Sequence, residues 1–138
     1  TPFIHDQALR LASVSHPEYM QKVGGFFQAI SAPALLQQGT EGEVYANPLR
    51  CPPIHYINNG EQQILLDRQP EPGELELPSS KDAAITARWI EDCLAGVLPI
   101  PDSIQKQLAC CLVAAGQVNT VELAQQQIND LYGITITR

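Results

Sequence analysis

The chain has 138 residues, 44% of them hydrophobic, which is enough to bury a core without a disulfide or metal staple. Its formal charge is −7 and only 17% of its residues are charged, a balance that disfavours non-specific binding to nucleic acid or to an anionic membrane. No run of about 18 apolar residues exists to span a bilayer as a helix.

The acidic excess is local. Residues 41–76 carry Glu41, Glu43, Glu61, Asp67, Glu71, Glu74 and Glu76 against Arg50 and Arg68. Such a segment reads as a solvated acidic face, and it leaves room for a protein partner. Glutamines in pairs and triplets, Gln37-Gln38, Gln62-Gln63 and Gln125-Gln126-Gln127, make the polar surface more amide than ionic. The N-terminus "TPFIHDQALR" has neither the basic flank nor the apolar run of a signal peptide, and it lacks an initiator Met. A processed chain, or a piece of something longer, is the expectation.

Residues 1–39 are expected to be helical. Ala8, Leu11 and Ala12 recur at helical spacing in "HDQALRLASV". Ser15, Pro17 and Glu18 form a helix start, with Glu18 placed three after Ser15 as a capping box requires. The helix that follows carries Tyr19, Met20, Val23, Phe26, Phe27 and Ile30, an apolar stripe. Gly24-Gly25 inside it costs about 1–2 kcal/mol against alanine, which argues for close approach or a kink. No phosphate-loop frame surrounds the pair. Ser31 and Pro33 are expected to open a short helix ending at Gly39.

Residues 40–78 change character, with dense Pro and Gly and short Val, Ile and Tyr runs. "GEVYA" reads as a strand, "IHYI" and "QQILL" as two more joined at Asn59-Gly60, and "ELEL" as an edge strand kept wet by its glutamates. "DRQPEPGE" reads as a loop.

Residues 79–138 return to helix. Ser80 is expected to cap "KDAAITARWIEDCLAG", with Ile85, Trp89 and Cys93 in register and Gly96 as the stop. After the proline-bounded "VLPIP", Asp102 or Ser103 caps a helix with Ile104, Leu108, Cys111, Leu112 and Ala115 on one face. Asn119 or Thr120 caps a third, with Val121, Ala124, Ile128 and Leu131 inward and Gly133 as the stop. "ITITR" closes the chain as a strand by composition.

Two residues invite a catalytic reading: Cys51 as a nucleophile and His55 as its base. Nucleophilic catalysis needs the pair within hydrogen-bond reach. Pro52-Pro53 stiffen the link and push it extended, which separates the ends by roughly 13 Å. A zinc site needs further ligands, and His5, His16, Cys93, Cys110 and Cys111 are scattered without CxxC or HxxxH spacing. No GxSxG elbow is present. Thr1 as an N-terminal nucleophile has a plainer account in a chain cut at that point. No catalytic set, cofactor motif or metal site is therefore assigned, with Cys51 and His55 kept as weak candidates.

The segment "IQKQLACCLVAAGQVNTVELAQQQINDLYGITIT" holds a core helix, a Gly-containing turn and a second helix opening on Thr120-Val121-Glu122-Leu123-Ala124. It resembles the opening of a winged helix-turn-helix over about 35 residues, which implies a following helix that reads DNA. Residues 102–138 nevertheless carry only Lys106 and Arg138 against Asp102, Glu122 and Asp130, too few cations for phosphate contacts.

The expected fold is α+β, one mainly helical domain over residues 1–138. A small antiparallel β-hairpin or sheet occupies the middle, followed by a helix-turn-helix-like three-helix segment with a terminal strand. The expected core is Val23, Phe26, Phe27, Ile30, Ile85, Trp89, Leu108, Cys111, Leu112, Val121, Ala124, Ile128 and Leu131. The expected function is a non-enzymatic, cytoplasmic protein-interaction or regulatory domain, with a protein partner or self-association and no membrane. The alternatives are a nucleic-acid-associated winged-helix-like module and an enzyme with Cys51 as nucleophile.

Overall fold

The computed structural model describes residues 7–39, 41–73, 75 and 77–132. Its elements run β1 (Arg10–Val14), α1 (Pro17–Ala29), β2 (Ala34–Gln38), β3 (Ile54–Asn58), β4 (Glu61–Leu66), α2 (Ala83–Leu94), α3 (Asp102–Ala114) and α4 (Val121–Tyr132). Among the described residues, four helices and a four-stranded mixed sheet make the chain α+β. The sheet order is β1-β2-β3-β4, with β1 and β2 parallel and the other pairs antiparallel.

The first 39 residues are the main correction. They are not all helical: β1, α1 and β2 form a strand–helix–strand crossover. Apolar spacing in "HDQALRLASV" fits a helix, but Ala12 and Val14 pack under α1 while Ser13 turns to the other face. The stretch after Pro33 is β2 rather than a short helix. Its Ala34, Leu35, Leu36 and Gln37 are all buried, because β2 is an inner strand covered on both faces. A short apolar run of that kind has no period by which to tell strand from helix.

Alternation through the sheet builds two cores. Ala34 and Leu36 of β2 and Ile57 of β3 meet Phe27, Met20 and Val23 of α1 on one face. Leu35 and Ile54 meet Ala109 and Cys110 of α3 and Val121, Ala124 and Ile128 of α4 on the other. Gly24 is buried where α1 crosses the hairpin: a Cβ there would lie 2.6 Å from Gln62 Oε1, whereas one at Gly25 would meet nothing within 4 Å. Close approach thus explains one glycine of the pair.

The expected hairpin is present. Asn59 (φ 51°) and Gly60 (φ 77°) both take the left-handed turn conformation that joins β3 to β4. "GEVYA" is not a strand; its backbone is held by side chains, as described below. Of "ELEL", Glu74 and Glu76 lie outside the described residues, as do Gly133 and the terminal "ITITR".

Helix starts differ from expectation where a nearer group competes. The Ser15 hydroxyl bonds His16 Nδ1 (2.9 Å), and α1 begins at Pro17 with no side-chain cap from His16. Asp82, not Ser80, caps α2, accepting from the Ala84 and Ile85 amides at 3.0 and 3.1 Å. Pro101 precedes α3, and Ser103 is turned away to the Ala46 carbonyl (2.9 Å). The Leu123 amide donates to Thr120 Oγ1 (3.2 Å) at the start of α4.

The core list also shifts. Phe27, Val121, Ala124 and Ile128 are buried, whereas Val23, Trp89, Cys111 and Leu112 are half-buried. Phe26 (57% exposed), Leu131 (76%), Ile30, Ile85 and Leu108 face outward. The deepest large residues are instead Leu36, Ile54 and Ile57, with Cys110. Helix α3 presents its small side chains Ser103, Ala109 and Cys110 to the interior, which lets it sit close on the sheet and turns Ile104 and Leu108 outward.

Candidate functional site: an apolar groove beside α2

Helix α2 stands off the rest of the molecule, with no strand packed tightly against it. Two local features set its position. Gly96 ends it at φ 75°, and a Cβ there would lie 2.9 Å from the Tyr132 carbonyl oxygen at the end of α4. Pro99 and Pro101 then keep the return to α3 extended. The result is an open groove of about 790 Å³. Its floor is Ile104 and Leu108 of α3 with Ile128 of α4, and one wall is Trp89, Ile90, Cys93 and Leu94 of α2. The other wall is the segment Tyr45–Leu49, and among the described residues Lys81 is the one charged side chain lining the groove.

The second wall is built by amide side chains. Gln107 of α3 donates from Nε2 to the Val44 carbonyl (2.6 Å) and accepts at Oε1 from the Ala46 amide (2.7 Å). That two-point grip is what a neighbouring strand would supply, yet residues 44–46 stay outside the sheet, with bends at Val44 and Tyr45. Gln37 of β2 donates to the same Val44 carbonyl (3.1 Å), and Ser13 donates to the Glu43 carbonyl. Tyr45 and Leu49 are thereby held exposed at the rim, opposite Ile90 and Leu94, which are exposed as well.

Cys51 and His55 are placed on different sides of the sheet. Cys51 is buried on the α3 side, near enough for the charges of Lys106 and Asp102 to bear on its thiol. Burial is the main influence and pushes that thiol up; Lys106 opposes it and Asp102 adds to it. A nucleophilic cysteine needs the opposite shift. Its neighbour Cys110 is pushed up to about 12, again chiefly by burial. His55 points to the α1 side of β3, where its Nδ1 meets Gln62 Nε2 at 3.1 Å. Burial lowers its proton affinity, and an amide N–H donating to Nδ1 favours the same neutral ring.

Lys106 bridges Asp102, one turn back on α3, and Gln69 Oε1 (2.8 Å). Among the described residues no group of three or more His, Cys, Asp or Glu side chains is arranged to hold a metal ion. No described helix is long and apolar enough to cross a membrane.

The groove was not foreseen from the residues. Its signal is in α2, where Ile85, Trp89, Ile90, Cys93 and Leu94 cover more of the helix than a single stripe needs. A helix apolar on two sides has two surfaces to cover.

No protein-family model matches the chain. Over 132 residues it is 50% identical to the uncharacterized protein YbiB of Escherichia coli (strain K12). The matched stretch is 96% of this chain and 41% of that relative, so the chain spans about two-fifths of the relative's length.

Proposed function

We propose that the chain is a non-enzymatic protein-interaction module of a larger protein, and that the groove beside α2 holds an apolar helical segment from the part of that protein lying outside these 138 residues. The observation that carries this reading is the groove itself. An open channel with a mainly apolar lining, Lys81 being the one charge among the described residues, is costly to leave in water and suits a helix docked by its hydrophobic face. The longer relative supports the choice of occupant, since more than half of its length has no counterpart in this chain. Cys51, Cys93, Cys110 and Cys111 are thiols rather than disulfides in the structure, which supports a reducing, cytoplasmic setting.

Enzymatic use of Cys51 draws no support from a buried thiol pushed up and a histidine on the opposite face of the sheet. A nucleic-acid role for α3 and α4 rests on their packing as a helical hairpin turned at Gly116 (φ 76°). The acidic balance of residues 102–138 speaks against it.

The test uses Trp89, the sole tryptophan of the chain, which lies in the groove wall. In the whole gene product, with any other tryptophan changed to Phe, Trp89 emission should move to shorter wavelength and resist acrylamide. Leu94→Asp, at an exposed groove position, should reverse both changes. Equal emission and quenching in the 138-residue chain and the whole product would overturn the reading.

A further inference from the structure

The outer edge of β4 carries a second, separate surface. It lies at the end of the sheet order, and among the described residues no backbone group of Glu61–Leu66 bonds to any element but β3. Edge strands of this length are normally guarded by Lys, Pro or an inward charge. β4 reads Glu-Gln-Gln-Ile-Leu-Leu, with one acidic residue at its start and Gln62, Gln63 and Ile64 exposed.

The hairpin fixes which groups are free. Across a two-residue turn the flanking pair, Asn58 and Glu61, exchanges its hydrogen bonds, and the pattern then alternates. Glu61 and Gln63 therefore bond inward, while the N–H and C=O groups of Gln62 and Ile64 point away from the sheet. Past Ile64 the register with β3 shifts at a bulge, so the regular free edge is Glu61–Ile64.

We infer that β4 pairs antiparallel with β4 of a second copy of this chain, centred on Gln63, to form a continuous eight-stranded sheet. A twofold axis through the sheet keeps each side chain on its own face, so the central residue must face its own copy. Centring on Gln63 sets Gln62 against the partner's Ile64 and Glu61 against the partner's Leu65. All the free groups of the regular edge are then used, with no charge facing a like charge. Centring on Ile64 sets Glu61 against the partner's Asp67, twice by symmetry, and runs the pairing through the bulge. Centring on Gln62 runs it into the Asn59-Gly60 turn. Sequence and bulge position thus select one register of a self-complementary edge.

Sedimentation of the 138-residue chain over a concentration series tests the proposal, and it is independent of the groove. The expected result is reversible doubling of mass. Ile64→Lys, at an exposed position, should raise the concentration for half-dimerisation on the order of tenfold or more, with an unchanged circular-dichroism spectrum. Gln63→Cys should form an intermolecular disulfide on mild oxidation, since facing non-hydrogen-bonded residues have Cα atoms about 4.5 Å apart. Glu61→Cys, whose two copies would lie roughly 13 Å apart, should not. A monomer at every concentration, a dimer indifferent to Ile64→Lys, or equal crosslinking at positions 61 and 63 would overturn the proposal.

Discussion

Replacing Gln107 tests how the groove wall is held. In Gln107→Ala the Val44 carbonyl keeps its 3.1 Å bond from Gln37, so that end of the grip is partly backed up. The Ala46 amide has no such substitute: Ala46 is fully buried, its N–H donates to Gln107 Oε1 at 2.7 Å, and no second acceptor for it stands among the described residues. An orphaned buried N–H costs about 1–3 kcal/mol, so a loss of about 2 kcal/mol is expected. With a urea slope of about 2 kcal/mol/M the unfolding midpoint should fall by about 1 M. Hydrogen exchange at the Ala46 amide should lose its protection at the same time. Gln107→Glu sharpens the test. Its carboxylate still accepts from the Ala46 amide but sets a second oxygen against the Val44 carbonyl, while the protonated acid can donate there. The folded-state affinity for that proton is therefore raised above the unfolded value of about 4.3. Its contribution to stability is full below that value and is lost as pH rises through the folded one. The variant should thus gain on the wild type as the solution is acidified. Gln107→Ala within about 0.5 kcal/mol of wild type, with Ala46 still protected, would refute the reasoning.

Three further outcomes follow from single sites. Gly96→Ala should cost about 1–2 kcal/mol for the left-handed backbone alone, and more for the 2.9 Å approach to the Tyr132 carbonyl; an unchanged melting temperature would refute that packing. His55 binds its proton less well in the folded state than in the unfolded chain. Its neutral form should therefore support the fold above pH of about 6.5, with stability falling as pH drops through and below that value. His55→Gln should flatten this part of the stability profile, and identical profiles would count against it. Cys51 should react with iodoacetamide more slowly than a model thiol at each pH, because burial raises the thiol; faster labelling would restore the nucleophile reading.

The β3–β4 hairpin was legible because Asn59-Gly60 allows little else between two β-rich runs. The ends of α2 and α3 were legible in Gly96 and Gly116, both at positive φ. Helix α4 was read with Val121, Ala124 and Ile128 inward, as found, and with Leu131 inward, which it is not. By contrast, β1 and β2 were hidden because parallel pairing depends on a partner brought round by α1, a long-range fact with no local mark. Residues 43–46 look like a strand by composition, but their backbone bends at Val44 and Tyr45 and its partners are the side chains of Ser13, Gln37 and Gln107. The face of α3 was misjudged because hydrophobicity favours Ile104 and Leu108, whereas close packing on a sheet selects small residues. That choice released the large side chains to line the groove. The Cys51–His55 question turns on strand parity and chain direction, which a four-residue spacing does not encode.

Cover of the groove beside α2 by protein is the point on which the proposed function stands or falls. Acrylamide quenching of Trp89 in the 138-residue chain and in the whole gene product, the latter freed of other tryptophans, measures that cover directly. A lower quenching constant and blue-shifted emission are expected in the whole product, both undone by Leu94→Asp. Identical quenching and emission in the two proteins would contradict it.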